Sequence, residues 1–158
     1  MNKYWEQTSN KTYKLFINGN QVVTLEKTAR QQATIHTRGR KFRIVRKKSW
    51  SRSFQILDEQ DEVVAQVAPR KWYAETLVLQ YQGQEYLLKH RNNPLFETVM
   101  QDLQKKDIIA YGKGVENLKE KITVTDHRQL YTVSDYLPDA IVWFLFQSVP
   151  DLDPLDFI

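Results

Sequence analysis

The residues best suited to chemistry in this chain are cations on an extended segment. Between Lys27 and Leu57 there is no acidic residue, while ten Lys and Arg side chains fall within that span. Eight of them form the candidate anion-binding set: Arg38, Arg40, Lys41, Arg43, Arg46, Lys47, Lys48 and Arg52. Around Phe42 and Ile44 the pattern alternates, so Lys41, Arg43 and Val45 share the opposite face of a strand. Guanidinium and ammonium groups repeated along one face, with Trp50 nearby, match the chemistry of phosphate recognition. The competing reading is a solvated sheet face, on which long cationic side chains cover the edge and discourage pairing with other chains. Arg70, Lys71, Lys89, His90 and Arg91 extend the set if strand order brings them alongside. The last residues have the opposite character, with Asp151, Asp153 and Asp156, so charge is distributed unevenly over a net +4.

Other constellations carry less. His36, His90 and His127 lack the helical i, i+4 spacing of a metal pair, and cysteine is absent. No metal or cofactor site is therefore expected. His127, Ser134 and Asp135 lack a nucleophile elbow and read as turn and cap residues. Asp58, Glu59, Asp61 and Glu62 read as a charged turn rather than a desolvated acid pair. Asp151, Asp153 and Asp156 lack the glycine of a calcium loop, and Pro154 interrupts them. Gly112-Lys113-Gly114 is too short to cradle phosphate as a P-loop does. No catalytic residue is assigned and the chain is read as a non-enzyme.

Short alternating segments must position the cations. Residues 13–18 and 21–26 flank Asn18-Gly19-Asn20, and 32–37 and 41–46 flank Arg38-Gly39-Arg40, as expected of tight hairpins. Residues 53–58 and 62–67 follow, then 72–81 and 84–90, 95–101 and 107–111, and 120–125. Gly112-Lys113-Gly114 reads as a flexible loop, and residues 1–11 as a loose or short lead-in. Trp72 and Trp143 are assigned to the core.

Residues 138–149 are apolar all the way round a helix, from Pro138 through Ile141, Trp143 and Phe146. Ser134 or Asp135 suits the cap, Pro138 the first turn and Pro150 the stop. A surface helix would carry a polar stripe. A helix wrapped by protein and a buried central strand both fit, and the bracketing caps favour the helix. The fold class is thus mostly β: an antiparallel β-barrel or strongly curled sheet of about ten to twelve strands around one buried apolar C-terminal α-helix. The chain is read as one domain over residues 1–158, ending in an acidic and apolar tail at 150–158.

Several short motifs resemble a known family. Phe42-Arg43-Ile44 with Trp50 and Ser53-Phe54-Gln55-Ile56-Leu57-Asp58 is similar to LURP-one-related chains. Tyr111-Gly112-Lys113 resembles the Phe-Gly-Lys of tubby C-terminal domains, and Asp135-Tyr136-Leu137-Pro138 resembles the lead-in to the tubby helix. Phospholipid scramblases belong to the same superfamily. The resemblance spans about residues 13–149 and implies a closed barrel threaded by one helix. It also implies phosphoinositide headgroups held by basic side chains on the barrel surface. The acidic calcium loop of scramblases is not matched, since Arg128 and Leu130 follow Asp126.

The expected function is a binding module for an anionic partner, a membrane surface or a phosphorylated ligand ranking ahead of nucleic acid. A protein partner at Leu155, Phe157 and Ile158 is one alternative, as in a structural subunit. A small-molecule carrier or enzyme with a barrel cavity is the other. With no apolar run near the length of a membrane span and no signal-peptide pattern at Met1, a cytoplasmic location, peripheral to membrane, is expected.

Overall fold

A computed structural model describes residues 2–29, 32–46, 52–92, 96–116, 119–126 and 135–148. Among the described residues, twelve strands form one antiparallel sheet in which each pairs with its sequence neighbours, and a single helix follows. The strands are β1 (Lys3–Gln7), β2 (Thr12–Ile17), β3 (Asn20–Ala29), β4 (Gln32–Thr37), β5 (Arg40–Val45) and β6 (Phe54–Leu57). They continue as β7 (Val63–Pro69), β8 (Leu77–Tyr81), β9 (Gln84–Asn92), β10 (Phe96–Gln101), β11 (Asp107–Glu116) and β12 (Lys119–Asp126). The helix is α1 (Leu137–Ser148). The sheet is a nearly closed barrel.

Three turns set the register of the meander. Asn18-Gly19, Arg38-Gly39 and Gln82-Gly83 all have positive φ at both residues. They join Ile17 to Asn20, Thr37 to Arg40 and Tyr81 to Gln84 as two-residue hairpins. That backbone twist matches the twist of the flanking strands. In β2 the alternation buries Tyr13, Leu15 and Ile17, and in β5 it buries Phe42 and Ile44.

Helix α1 is enclosed. Every residue from Leu137 to Phe146 is buried, whichever way it faces. Its rings reach strands around the barrel: Trp143 stacks on Trp5 at 4.8 Å, and Phe144 meets Phe54 at 5.6 Å. Trp143 also meets the edges of Tyr13 and Tyr111. Each such pair adds roughly 0.5–1.5 kcal/mol beyond area burial. At the helix start, the Asp135 carboxylate accepts the Leu137 N–H at 3.0 Å, satisfying one of the free donors of the first turn.

The charged residue of the buried helix surface, Asp139, is fully buried. It accepts hydrogen bonds from the Lys3 ammonium and, at 3.1 Å, from the Tyr111 hydroxyl. Lys3 also reaches Asp126 at 2.6 Å. Since β1 and β12 are the two ends of the strand order, this one ammonium ties both to the helix. A negative side chain in the first turn is also favoured by the helix dipole.

Four expectations change. Residues 72–76 are not part of β8, which begins at Leu77. Trp72 is not in the core: it is 87 % exposed. Its neighbours Arg70, Lys71 and Tyr73 are exposed too, so no strand face there needs to be covered. Gly112-Lys113-Gly114 is not a loop but lies in β11, paired with Thr123, Ile122 and Lys121. Pairing on β12 satisfies the backbone, and glycine adopts extended geometry as readily as a turn. Residues 3–7 of the lead-in form β1, which buries Trp5 and Lys3.

Two substitutions test the enclosed helix by chemical denaturation. Trp143→Ala is expected to cost ~3–5 kcal/mol of stability, and a near-neutral result would contradict burial inside the barrel. Lys3→Met is expected to cost ~3–5 kcal/mol, because it removes the buried cation that Asp126 and Asp139 share.

Candidate anion-binding surface

The antiparallel meander sorts every hairpin connection to one of two rims. The start rim, where α1 begins, carries the turns at residues 18–19, 38–39, 58–62, 82–83 and 102–106. The end rim, toward which α1 runs, carries the β7–β8 turn at residues 70–76, with Arg46 following β5 and Arg52 preceding β6. Strand β5 spans the barrel wall, so the expected cationic set is stretched across it. Arg40 and Arg46 are six residues apart, about 20 Å along a strand. That exceeds the screening length of about 8 Å at physiological salt.

At the start rim, Arg38 lies over the Tyr136 ring at 5.0 Å and Arg40 over the Phe42 ring at 4.7 Å. Lys41 is exposed beside them, and its N–H donates to Glu59 at 3.0 Å. In mid-wall, Arg43 is paired with Asp61. Asp58 accepts the Gln60 and Glu62 N–H groups at 2.9 and 3.0 Å, which folds the acidic turn back toward the basic strand. A notch of about 160 Å³ between them is lined by Lys41, Arg43, Asp58, Glu59 and Asp61. A notch of mixed sign is a poor anion cradle, so the centre of the expected site is largely neutralised. The sequence marks the acidic residues as a turn; their reach to β5 depends on the β5–β6–β7 pairing.

At the end rim, Arg46 is half-buried over the Phe54 ring at 5.7 Å, and burial lowers its pKa. Its Nε has no hydrogen-bond partner among the described residues. Arg52 is exposed and donates to the carbonyls of Trp72, at 2.7 Å, and Ala74. Lys71 is exposed, its ammonium 5.7 Å from the Tyr73 ring. Lys47 and Lys48, like Trp50, lie outside the described residues, as do Leu155, Phe157 and Ile158.

Of the outlying cations, Arg70, Arg91 and His90 are engaged elsewhere. Arg70 pairs with Glu85 at 2.5 Å. Arg91 pairs with Glu97 at 2.5 Å and Asp107 at 2.7 Å, which raises its pKa. His90 stacks on Phe96 and hydrogen-bonds Thr98. Burial pushes the Asp107 carboxyl up, but hydrogen bonds from Arg91 and Gln101 outweigh it and hold the pKa down.

Sequence reasoning did not find Tyr81 or Lys3. The Tyr81 hydroxyl donates to Asp135 at 2.6 Å; burial and that bond raise its pKa, so it remains a neutral donor. For Lys3 the available signal was Asp139, a carboxylate in an otherwise apolar helix, which requires a buried partner. A cavity of about 320 Å³ opens near the end of α1, lined by Trp5, Tyr13, Ile122, Trp143 and Phe146 with Gln7, Lys113 and Gln147. The indole N–H groups of Trp5 and Trp143 have no acceptor among the described residues. No group of metal-ligating side chains occurs among the described residues, and no helix among them is long and apolar enough to cross a membrane.

No family model, curated protein or solved structure matches the chain significantly.

The Asp107 pairing has a pH signature. A carboxyl whose pKa is lowered on folding contributes stability above its unfolded pKa, and that contribution is lost as pH falls through the folded value. The urea midpoint of the wild type should fall as pH drops below about 4. Asp107→Asn should start from a lower midpoint near neutrality and decline less over the same window.

Proposed function

We propose that this protein is a non-enzymatic binding module that engages anionic phospholipid headgroups with the cations of its end rim. The observation that carries this reading is the convergence of Arg52 and Lys71 on one exposed turn. Arg52 spends its donors on carbonyls rather than carboxylates, so its charge is retained. Lys71 makes no ion pair among the described residues. Arg46 lies on the same rim. The motifs that resemble tubby domains point toward the same ligand chemistry.

Arg38, Arg40 and Lys41 serve as an internal comparison. They sit on the opposite rim, so a flat bilayer held at the end rim would not touch them. This reading narrows the expected eight-residue set to Arg46 and Arg52, and adds Lys71.

A second reading, a small-molecule carrier, is favoured by the aromatic cavity near the end of α1, whose lining also includes Lys113. Small aromatic carboxylic acids should then raise the melting temperature, and the absence of any shift would count against it.

Vesicle co-sedimentation tests the main reading. The protein should pellet with phosphatidylserine-containing vesicles and not with pure phosphatidylcholine, and should be released by added salt. Lys71→Gln should weaken binding about fivefold, as one charge near an anionic surface contributes about 1 kcal/mol. Arg38→Gln with Arg40→Gln should leave binding unchanged. Equal losses in both variants would make the interaction diffuse rather than rim-specific.

A further inference from the structure

The end rim carries a feature that headgroup binding alone does not use. Trp72 is 87 % and Tyr73 62 % exposed, adjacent on one turn. The other large exposed apolar side chains among the described residues, Tyr4, Val63, Leu103 and Ile122, lie on other strands and turns. Large aromatic side chains are usually well buried, and an adjacent exposed pair is the informative exception.

The pair is held outward. The Ala74 N–H donates to the Lys71 carbonyl at 2.9 Å, closing a tight turn. Arg52, reaching from the start of β6, clamps the carbonyls of Trp72 and Ala74. The two rings meet edge-on at 5.5 Å and 89°. Neither ring borders the 320 Å³ cavity or the mixed-charge notch. Because the backbone is fixed from two sides, little conformational freedom remains to be lost when the rings meet a partner.

We propose that residues 70–76 form a membrane-interface hook, in which Trp72 and Tyr73 enter the headgroup region of an anionic bilayer while Arg52 and Lys71 meet its phosphates. The proposal rests on the reading of the protein as a binder of anionic headgroups, and adds insertion to it. An indole and a phenol each join an apolar body to a polar tip, which suits the boundary between hydrocarbon and water. Cations beside them match the anionic lipid surface. Glu75 is exposed on the same turn and opposes the two cations in part. Its cations converge on one exposed turn, Lys71 from within it and Arg52 from the start of β6. A single-stranded nucleic acid would instead call for a charged groove that tracks the backbone.

The test uses the full chain and vesicles of phosphatidylcholine and phosphatidylserine, with and without brominated acyl chains. The chain has four tryptophans, of which Trp5 and Trp143 are buried. Brominated lipid should quench the wild-type fluorescence, and Trp72→Phe should lose that quenching. Trp72→Ala with Tyr73→Ala should bind about tenfold more weakly, the effect of removing partial aromatic burial. The melting temperature should not change, since both side chains are exposed. Wild-type affinity in the double variant, without quenching in the wild type, would overturn insertion and leave headgroup binding standing. No binding of the wild type to any vesicle would overturn both. Loss of binding to a single-stranded oligonucleotide in the double variant, with no vesicle binding, would assign the turn to nucleic acid instead.

Discussion

A helix without a polar face has to be enclosed, and the architecture follows from that requirement. Twelve residues of α1 span about 18 Å, which matches the ~17–20 Å of a five- or six-residue strand. The six-residue strands β2, β4, β5 and β10 are about as long as the helix, which is buried from Leu137 to Phe146. Trp143 shows how tightly this constrains the interior, since its indole meets rings from β1, β2 and β11 at once. The same enclosure makes Asp139 expensive unless it is matched. Lys3 and Tyr111 provide the match, and through Asp126 the ammonium also joins the two ends of the sheet.

With the interior occupied by side chains, recognition by large partners falls to the outside. An antiparallel meander divides its connections between two rims, so residues close in sequence along one strand can face different surroundings. Arg38 and Arg40 stack on rings at one rim, Arg43 is paired in mid-wall, and Arg46 and Arg52 belong to the other rim. Separation along the strand beyond a screening length means that these groups do not act as one electrostatic patch. What the end rim has in addition is a clamped turn that holds Trp72 and Tyr73 in solvent.

Much of the fold was legible because it rests on local rules. The X-Gly pairs at 18–19, 38–39 and 82–83 require positive φ, and each hairpin sits where its pair does. Alternation in Phe42 and Ile44 assigned the basic face of β5 correctly, and Asp135 does bind the first turn of α1. Where reading failed, two local signals competed. Gly112-Lys113-Gly114 carries the composition of a loop, but a partner strand on β12 gives its backbone an extended role. Trp72 is apolar enough for a core, yet β8 starts only at Leu77.

The sequence by itself determined the strand rhythm, the tight turns, the buried helix and the cationic character of β5, because periodicity, glycine conformation and side-chain charge are properties of neighbouring residues. Only the tertiary structure decided which cations remain available. Asp61 reaches Arg43 across 18 positions, Trp72 and Ala74 occupy Arg52 across 20 and 22, and Lys3 finds Asp139 across 136. Ion pairs and hydrogen bonds depend on distance in space, and that distance exists only once the sheet has curled around its helix.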